Sequence, residues 1–391
     1  IIIIVYRRMP YMKKVGSYAL LALLLISMLS GCSQQNTANQ TESEVSEAQM
    51  QENSENIETE KMQDTEKIQN TEKIQDTEKN ENTEKLSPFE MHGALHVENG
   101  KLTDQHGDVV QLYGMSTHGI AWFPQYVNSD ALRTLRDDWN TNCIRLAMYT
   151  AENGGYCSGG DKEQLKQLVK DGVSYATDLG MYVIVDWHIL SDGDPNQNKD
   201  EAIAFFKEMA ETFTNNDNVL YEICNEPNGG TSWESIKAYA EEVMPVIREK
   251  RPDAVILVGT PTWSQEIDKA AESPLEDKNV MYTLHFYAGT HKDDLRNRLE
   301  SYAQNGLPIF VSEFGMCDAS GNGANDFEST TKWLDLLNKY QISFMCWNLA
   351  NKDESSSVFR ANSTKISDWT EEDLSEAGQW IKAYFKNRSY Q

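Results

Sequence analysis

The stretch VLYEICNEPNGG, residues 219–230, decides how the chain is read. Its first six residues form an apolar run of strand length, and packing alone would let such a run end in more of the same. It ends instead in Asn225-Glu226-Pro227, an amide and a carboxylate at the point where a strand leaves its core. A buried carboxylate is costly without a partner or a task, so the placement needs an explanation.

Seven other runs repeat the pattern. VVQLYGMSTHG, NCIRLAMY, MYVIVDWH, AVILVGTP, VMYTLHFY, LPIFVSEFG and SFMCWNLA each turn from aliphatic to polar or aromatic at their last residues. Those ends carry His118, Arg145 with Tyr149, His188, Thr260, His285 with Tyr287, Glu313 and Trp347. Between the runs lie stretches of helical period, at 161–178, 200–213, 233–249, 293–303 and 326–340. Strict alternation of β and α demands parallel strands with right-handed crossovers, and eight such units close into an α/β fold, the (β/α)8 TIM barrel, of about 250 residues. LHVENG and KLTDQHGDVV, which precede the first unit, read as an N-terminal β-hairpin plugging the bottom of the barrel. In a closed barrel the polar strand ends converge on one face, where barrel enzymes hold their chemistry.

Composition sets the remaining boundaries. Arg7, Arg8, Lys13 and Lys14 precede an apolar run at 19–29 that is too short to span a bilayer. The run leads into Leu29-Ser30-Gly31-Cys32, which resembles the lipobox of a bacterial lipoprotein signal peptide, with Cys32 lipidated. Residues 33–87 repeat Thr-Glu-Lys every six residues, from Thr59 to Thr83, with five lysines against 14 acidic residues. That period forms no apolar stripe, so the segment is expected to be an extended disordered linker reaching about 40 Å. The chain thus divides into a leader (1–32), an acidic linker (33–87) and one catalytic domain (88–391). A net charge of −26 over 391 residues argues against nucleic acid as partner and favours a neutral one, with the membrane met only through the lipid anchor. The five cysteines beyond Cys32 fall at neither CxxC nor zinc-ligand spacing, which predicts buried thiols, no metal and no cofactor.

Glu226 and Glu313 end the fourth and seventh runs, so in a closed barrel they face each other across the mouth. Two opposed carboxylates without a metal cluster suit cleavage of a glycosidic bond, one serving as acid and base and the other as nucleophile. The set Arg145, His188, Asn225-Glu226-Pro227, His285, Tyr287, Glu313 and Trp347 resembles the signature of glycoside hydrolase family 5 in number and order. The resemblance implies Glu226 as acid/base, Glu313 as nucleophile, a carboxyl separation of about 5–5.5 Å and net retention. It further implies that His285 hydrogen-bonds Glu226 and that Asn225 binds a sugar 2-hydroxyl. Arg145, His188 and Tyr287 complete the expected substrate site.

Aromatic side chains at strand ends, Trp122, Tyr149, Trp187, Trp263 and Trp347, read as platforms for the apolar faces of sugar rings in an open cleft. Trp139 and Trp333 sit in helical patterns and are expected in the core. MSTHGIAWFPQY (115–126) and WNLANKDESSSVF (347–359) resemble bacterial endo-β-1,4-glucanases, which implies that His118, Lys352 and Glu354 bind glucose hydroxyls. The expectation is a secreted, envelope-tethered, monomeric retaining endoglucanase acting on β-glucan. Its rivals are the same machinery acting on mannan, xyloglucan or mixed-linkage glucan, and a surface lipoprotein that binds polysaccharide without cutting it.

Overall fold

The computed structural model describes residues 86–388, so the leader with Cys32 and the acidic linker up to residue 85 lie outside it. Among the described residues no helix is long and apolar enough to cross a membrane. The first element is a short helix α1 (Pro88–His92), closed by a reciprocal cap between Ser87 and Glu90. An antiparallel hairpin follows, β1 (His96–Glu98) and β2 (Lys101–Thr103), with His96 opposite Thr103.

The barrel staves are β3 (Tyr113–Thr117), β4 (Cys143–Tyr149), β5 (Tyr182–His188), β6 (Val219–Glu222), β7 (Ile256–Val258), β8 (Val280–Thr283) with β9 (Phe286–Tyr287), β10 (Ile309–Gly315) and β11 (Phe344–Leu349). Each pairs in parallel with the next, and β11 returns to β3, which closes the sheet. Eight staves therefore form one barrel, as the alternation predicts. The expected run VMYTLHFY is one stave in two pieces, because the His285 N–H donates to the Ser264 carbonyl at 2.8 Å instead of to a neighbouring strand.

The outer ring comprises α2 (Ser129–Asp137), α3 (Lys162–Asp178), α4 (Lys199–Thr212), α5 (Trp233–Arg248), two short turns α6 (Pro261–Ser264) and α7 (Ile267–Glu272), then α8 (Asp293–Gln304), α9 (Phe327–Lys339) and α10 (Glu376–Lys386). Most of the long helices start at a side-chain cap, such as Asp161 accepting from the Glu163 and Gln164 N–H groups.

What positions the site is the period of two along each strand. The lower lumen is hydrocarbon: Cys143, Ile184, Leu220, Leu257, Met281, Phe310 and Met345 cluster there with Leu95 and Leu102 of the plug region. Two residues further along the same strands stand Arg145, Asp186, Glu222, Gly259, Thr283, Ser312 and Trp347. One step up the barrel, the inward layer changes from apolar to polar. The outward residues of the strands pack against the helices in a second core, where Trp139 and Trp333 are fully buried as expected. Among the described residues the five cysteines are free thiols, four of them buried.

Candidate active site

Arg145 is the centre of the polar layer. Completely buried, it donates from Nε to Glu222 (2.7 Å) and from Nη1 to Glu313 (3.2 Å) and Ser116 (3.3 Å). Its Nη2 donates to Asn225 Oδ1 (2.6 Å) and lies 3.1 Å from Asp186. Asp186, Glu222, Glu226 and Glu313 are thus four buried carboxyls around one guanidinium. A single cation cannot hold four anions in a low dielectric, so protons must remain on some of them. Burial pushes Glu226 up to about 8 and Asp186 up to about 7.

The hydrogen bonds decide which carboxyl keeps its proton. Glu313 receives one donor on each oxygen, Tyr287 OH at 2.8 Å and Arg145, an arrangement that favours the anion against the burial that raises it. Glu226 has a different partner, His285 Nδ1 at 2.9 Å. His285 Nε2 lies 2.8 Å from Ser312 Oγ, and that hydroxyl donates its one proton to Glu222 at 2.6 Å. Ser312 can then only accept from His285, so Nε2 carries the imidazole proton. Burial holds His285 neutral, down to about 4, which leaves Nδ1 as an acceptor for a protonated Glu226. The chain Glu226–His285–Ser312–Glu222 therefore keeps an acidic proton on Glu226.

Glu226, His285 and Glu313 offer one donor atom each, all within 4.8 Å of one another. Both His285 nitrogens are already committed, to Glu226 and Ser312. These groups open into a cavity of about 590 Å³ lined also by His118, Tyr149, His188, Leu190, Trp263, Gln265, Tyr287, His291, Trp347, Lys352 and Glu354. Trp347, joined to Asn348 by a cis peptide bond, stacks on His188 with ring centres 5.2 Å apart. Lys352 and Glu354 form an ion pair at 2.6 Å beside His118. Trp263 stands at the rim with 46% of its surface exposed, and Trp122, 37% exposed, packs edge-on against Tyr149.

Several expectations change. The ladder of β6 stops at Glu222, so Glu226 stands on the turn beyond the strand rather than at its end. Arg145 and Asn225, expected against the sugar, are enclosed beneath the cavity with their polar atoms spent on the scaffold. Asn225 accepts from Arg145 and donates to Ile189 O (3.1 Å), with His188 Nε2 at 3.2 Å. Trp187 is no platform: it points outward and packs on Phe205, 5.4 Å away, and on Phe206 of α4. Asp186, Glu222 and Ser312 went unnoticed, although their signal is present as polar residues inside apolar strand runs. Gln265 and His291, which line the cavity from loops, left no signal of type or spacing.

Comparison with known proteins agrees with the geometry. Residues 103–353 match the cellulase family, glycosyl hydrolase family 5. The chain is 50% identical over 293 residues to endoglucanase A of Butyrivibrio fibrisolvens, covering 74% of this chain and 68% of that one. It is 48% identical over 297 residues to endoglucanase 5 of Pectobacterium carotovorum, covering 76% of this chain and 58% of the relative's length. Among solved structures, the catalytic domain of a Thermobifida fusca endoglucanase superposes with a TM-score of 0.74 at 41% identity, over 77% of this chain and all of that one. A form of that domain has been solved in complex with cellotetraose. With the barrel, the paired carboxyls and these likenesses together, the chain belongs to glycosyl hydrolase family 5, the cellulase family.

Proposed function

We propose that the chain is a retaining endo-β-1,4-glucanase in which Glu226 is the general acid and base and Glu313 the nucleophile. The observation that carries this reading is the gap between them: an oxygen of each lies within 4.8 Å of the other, a separation that suits double displacement and falls short of the roughly 6.5–9.5 Å between the carboxyls of an inverting enzyme. Their partners divide the roles. Glu313, held by Arg145 and Tyr287, attacks the anomeric carbon, while Glu226 delivers its proton to the departing glycosidic oxygen. Glu226, now ionised, then takes a proton from water as that water opens the glycosyl ester. The endoglucanase names of the relatives and the cellotetraose held by a related domain support a β-1,4-glucan as substrate. Trp122, Trp263, Trp347, Tyr149, His118, His188, Lys352 and Glu354 supply the stacking faces and hydroxyl partners.

The lipobox-like sequence before Cys32 supports a secreted lipoprotein tethered to the cell envelope, and the acidic, stripe-free composition of 33–87 supports a spacer between that anchor and the enzyme. The enzymatic reading is tested with two variants and two substrates. Glu313→Ala abolishes turnover of every substrate, whereas Glu226→Ala loses about 10²–10⁴-fold on cellotetraose and far less on a dinitrophenyl cellobioside, whose leaving group needs no proton. Equal losses of Glu226→Ala on both substrates overturn the assignment of roles.

A further inference from the structure

The turn after β7 is built against the preference of its residues. Thr262 (φ 58°, ψ 58°), Trp263 (φ 54°, ψ 50°) and Ser264 (φ 54°) are three consecutive non-glycine residues in the left-handed region. Each such residue is disfavoured on its own, and a run of three persists only where the surroundings fasten it. The fastenings lead to one place. Trp263 N–H donates to Pro227 O at 2.9 Å, and Ser264 Oγ donates to Asn225 O at 2.7 Å, so the turn grips the backbone on both sides of Glu226. Ser264 O accepts the N–H of His285, the imidazole that holds the Glu226 carboxyl. The Ser264 hydroxyl, fully buried, also accepts from Thr260 N (3.3 Å) and Thr283 Oγ1 (3.0 Å). The middle residue of the turn, Trp263, meanwhile presents its ring at the cavity rim.

We infer that Ser264 is a positioning residue for proton delivery, tying the aromatic platform Trp263 to the backbone and the imidazole that aim Glu226. The inference rests on Glu226 being the general acid. A sugar ring stacked on Trp263 then bears on the turn that holds the acid, so binding at the rim is transmitted to where the proton is given. Apolar packing alone does not call for this arrangement, since a glycine-containing turn would span the same gap without strain.

The test uses the full chain with Ser264→Ala, which removes the hydroxyl alone, and with Ser264→Gly, which removes the CH2OH group but suits the left-handed backbone and so keeps the turn. Expected for both is a fall of about tenfold or more in kcat/KM on cellotetraose, read in kcat with KM little changed. On dinitrophenyl cellobioside the loss stays within about threefold, and the basic limb of the pH profile on cellotetraose moves. Melting curves report folding, and Ser264→Gly decides if Ser264→Ala does not fold. Equal losses on the two substrates, or a change confined to KM, overturn the inference. If Glu226→Ala itself shows no split between the substrates, the underlying role assignment has failed instead, so the two failures are told apart.

Discussion

Each residue of the polar layer answers to a hydrogen-bond count, and Ser312 is the clearest case. Its single proton goes to Glu222, which obliges His285 to donate to Ser312 and to accept from Glu226. Ser312→Ala removes that obligation. His285 is then free to carry its proton on Nδ1, where it favours ionised Glu226, and the Glu226 pKa falls. With Glu226 as the proposed general acid, the active form is the protonated one, so the basic limb of kcat/KM moves to lower pH in Ser312→Ala, as a pH profile will show. Stability follows the same group. The folded carboxyl titrates near 8, above its unfolded value, so its contribution is fully present below about pH 4.5 and is lost as pH rises towards 8. Glu226→Gln, which cannot ionise, is therefore expected to melt close to wild type at pH 4.5 and above it at pH 8, as calorimetry at the two values checks. Glu226, Glu313 and His285 were legible in the sequence because polar side chains closing apolar runs stand out. Depth was not legible: a sequence gives the direction in which Arg145 and Asn225 point but not how far below the cavity floor they lie.

Among the elements, alternation along a strand determines more than its composition. In β5 the inward series is Tyr182, Ile184, Asp186 and His188, which leaves Trp187 on the outward face against α4. Strand-end position alone made Trp187 look like a platform, whereas the period of two, applied to the same seven residues, assigns it to the core. Trp187→Ala is expected to destabilise by about 3–5 kcal/mol in denaturant unfolding while leaving kcat of the folded fraction near wild type. Close packing between staves constrains Gly114 of β3 in the same way, since a Cβ there would lie 1.9 Å from the Cys143 carbonyl oxygen. Gly114→Ala should cost about 1–3 kcal/mol, read as a lower unfolding midpoint. The eight staves were legible because apolar runs recur along the domain with stretches of helical period in five of the seven gaps between them. The break between β8 and β9 was not, because it depends on a partner, Ser264, that approaches from another stave's loop.

Over the whole molecule, the described residues 86–388 hold a core and a candidate site of their own. Cys32→Ser is expected to move the protein from the membrane fraction to the soluble one, with kcat/KM on cellotetraose unchanged. The plug and the hydrocarbon of the lower lumen have a consequence for how a polymer is handled. A shaft filled with Leu, Ile, Phe and Met offers no axial passage, so a glucan cannot thread through and must lie crosswise over the open end. Crosswise seating makes the middle of a strand as accessible as its tip. A solution of carboxymethylcellulose should accordingly thin long before many new reducing groups accumulate, and viscometry run beside a reducing-sugar assay measures that lag directly.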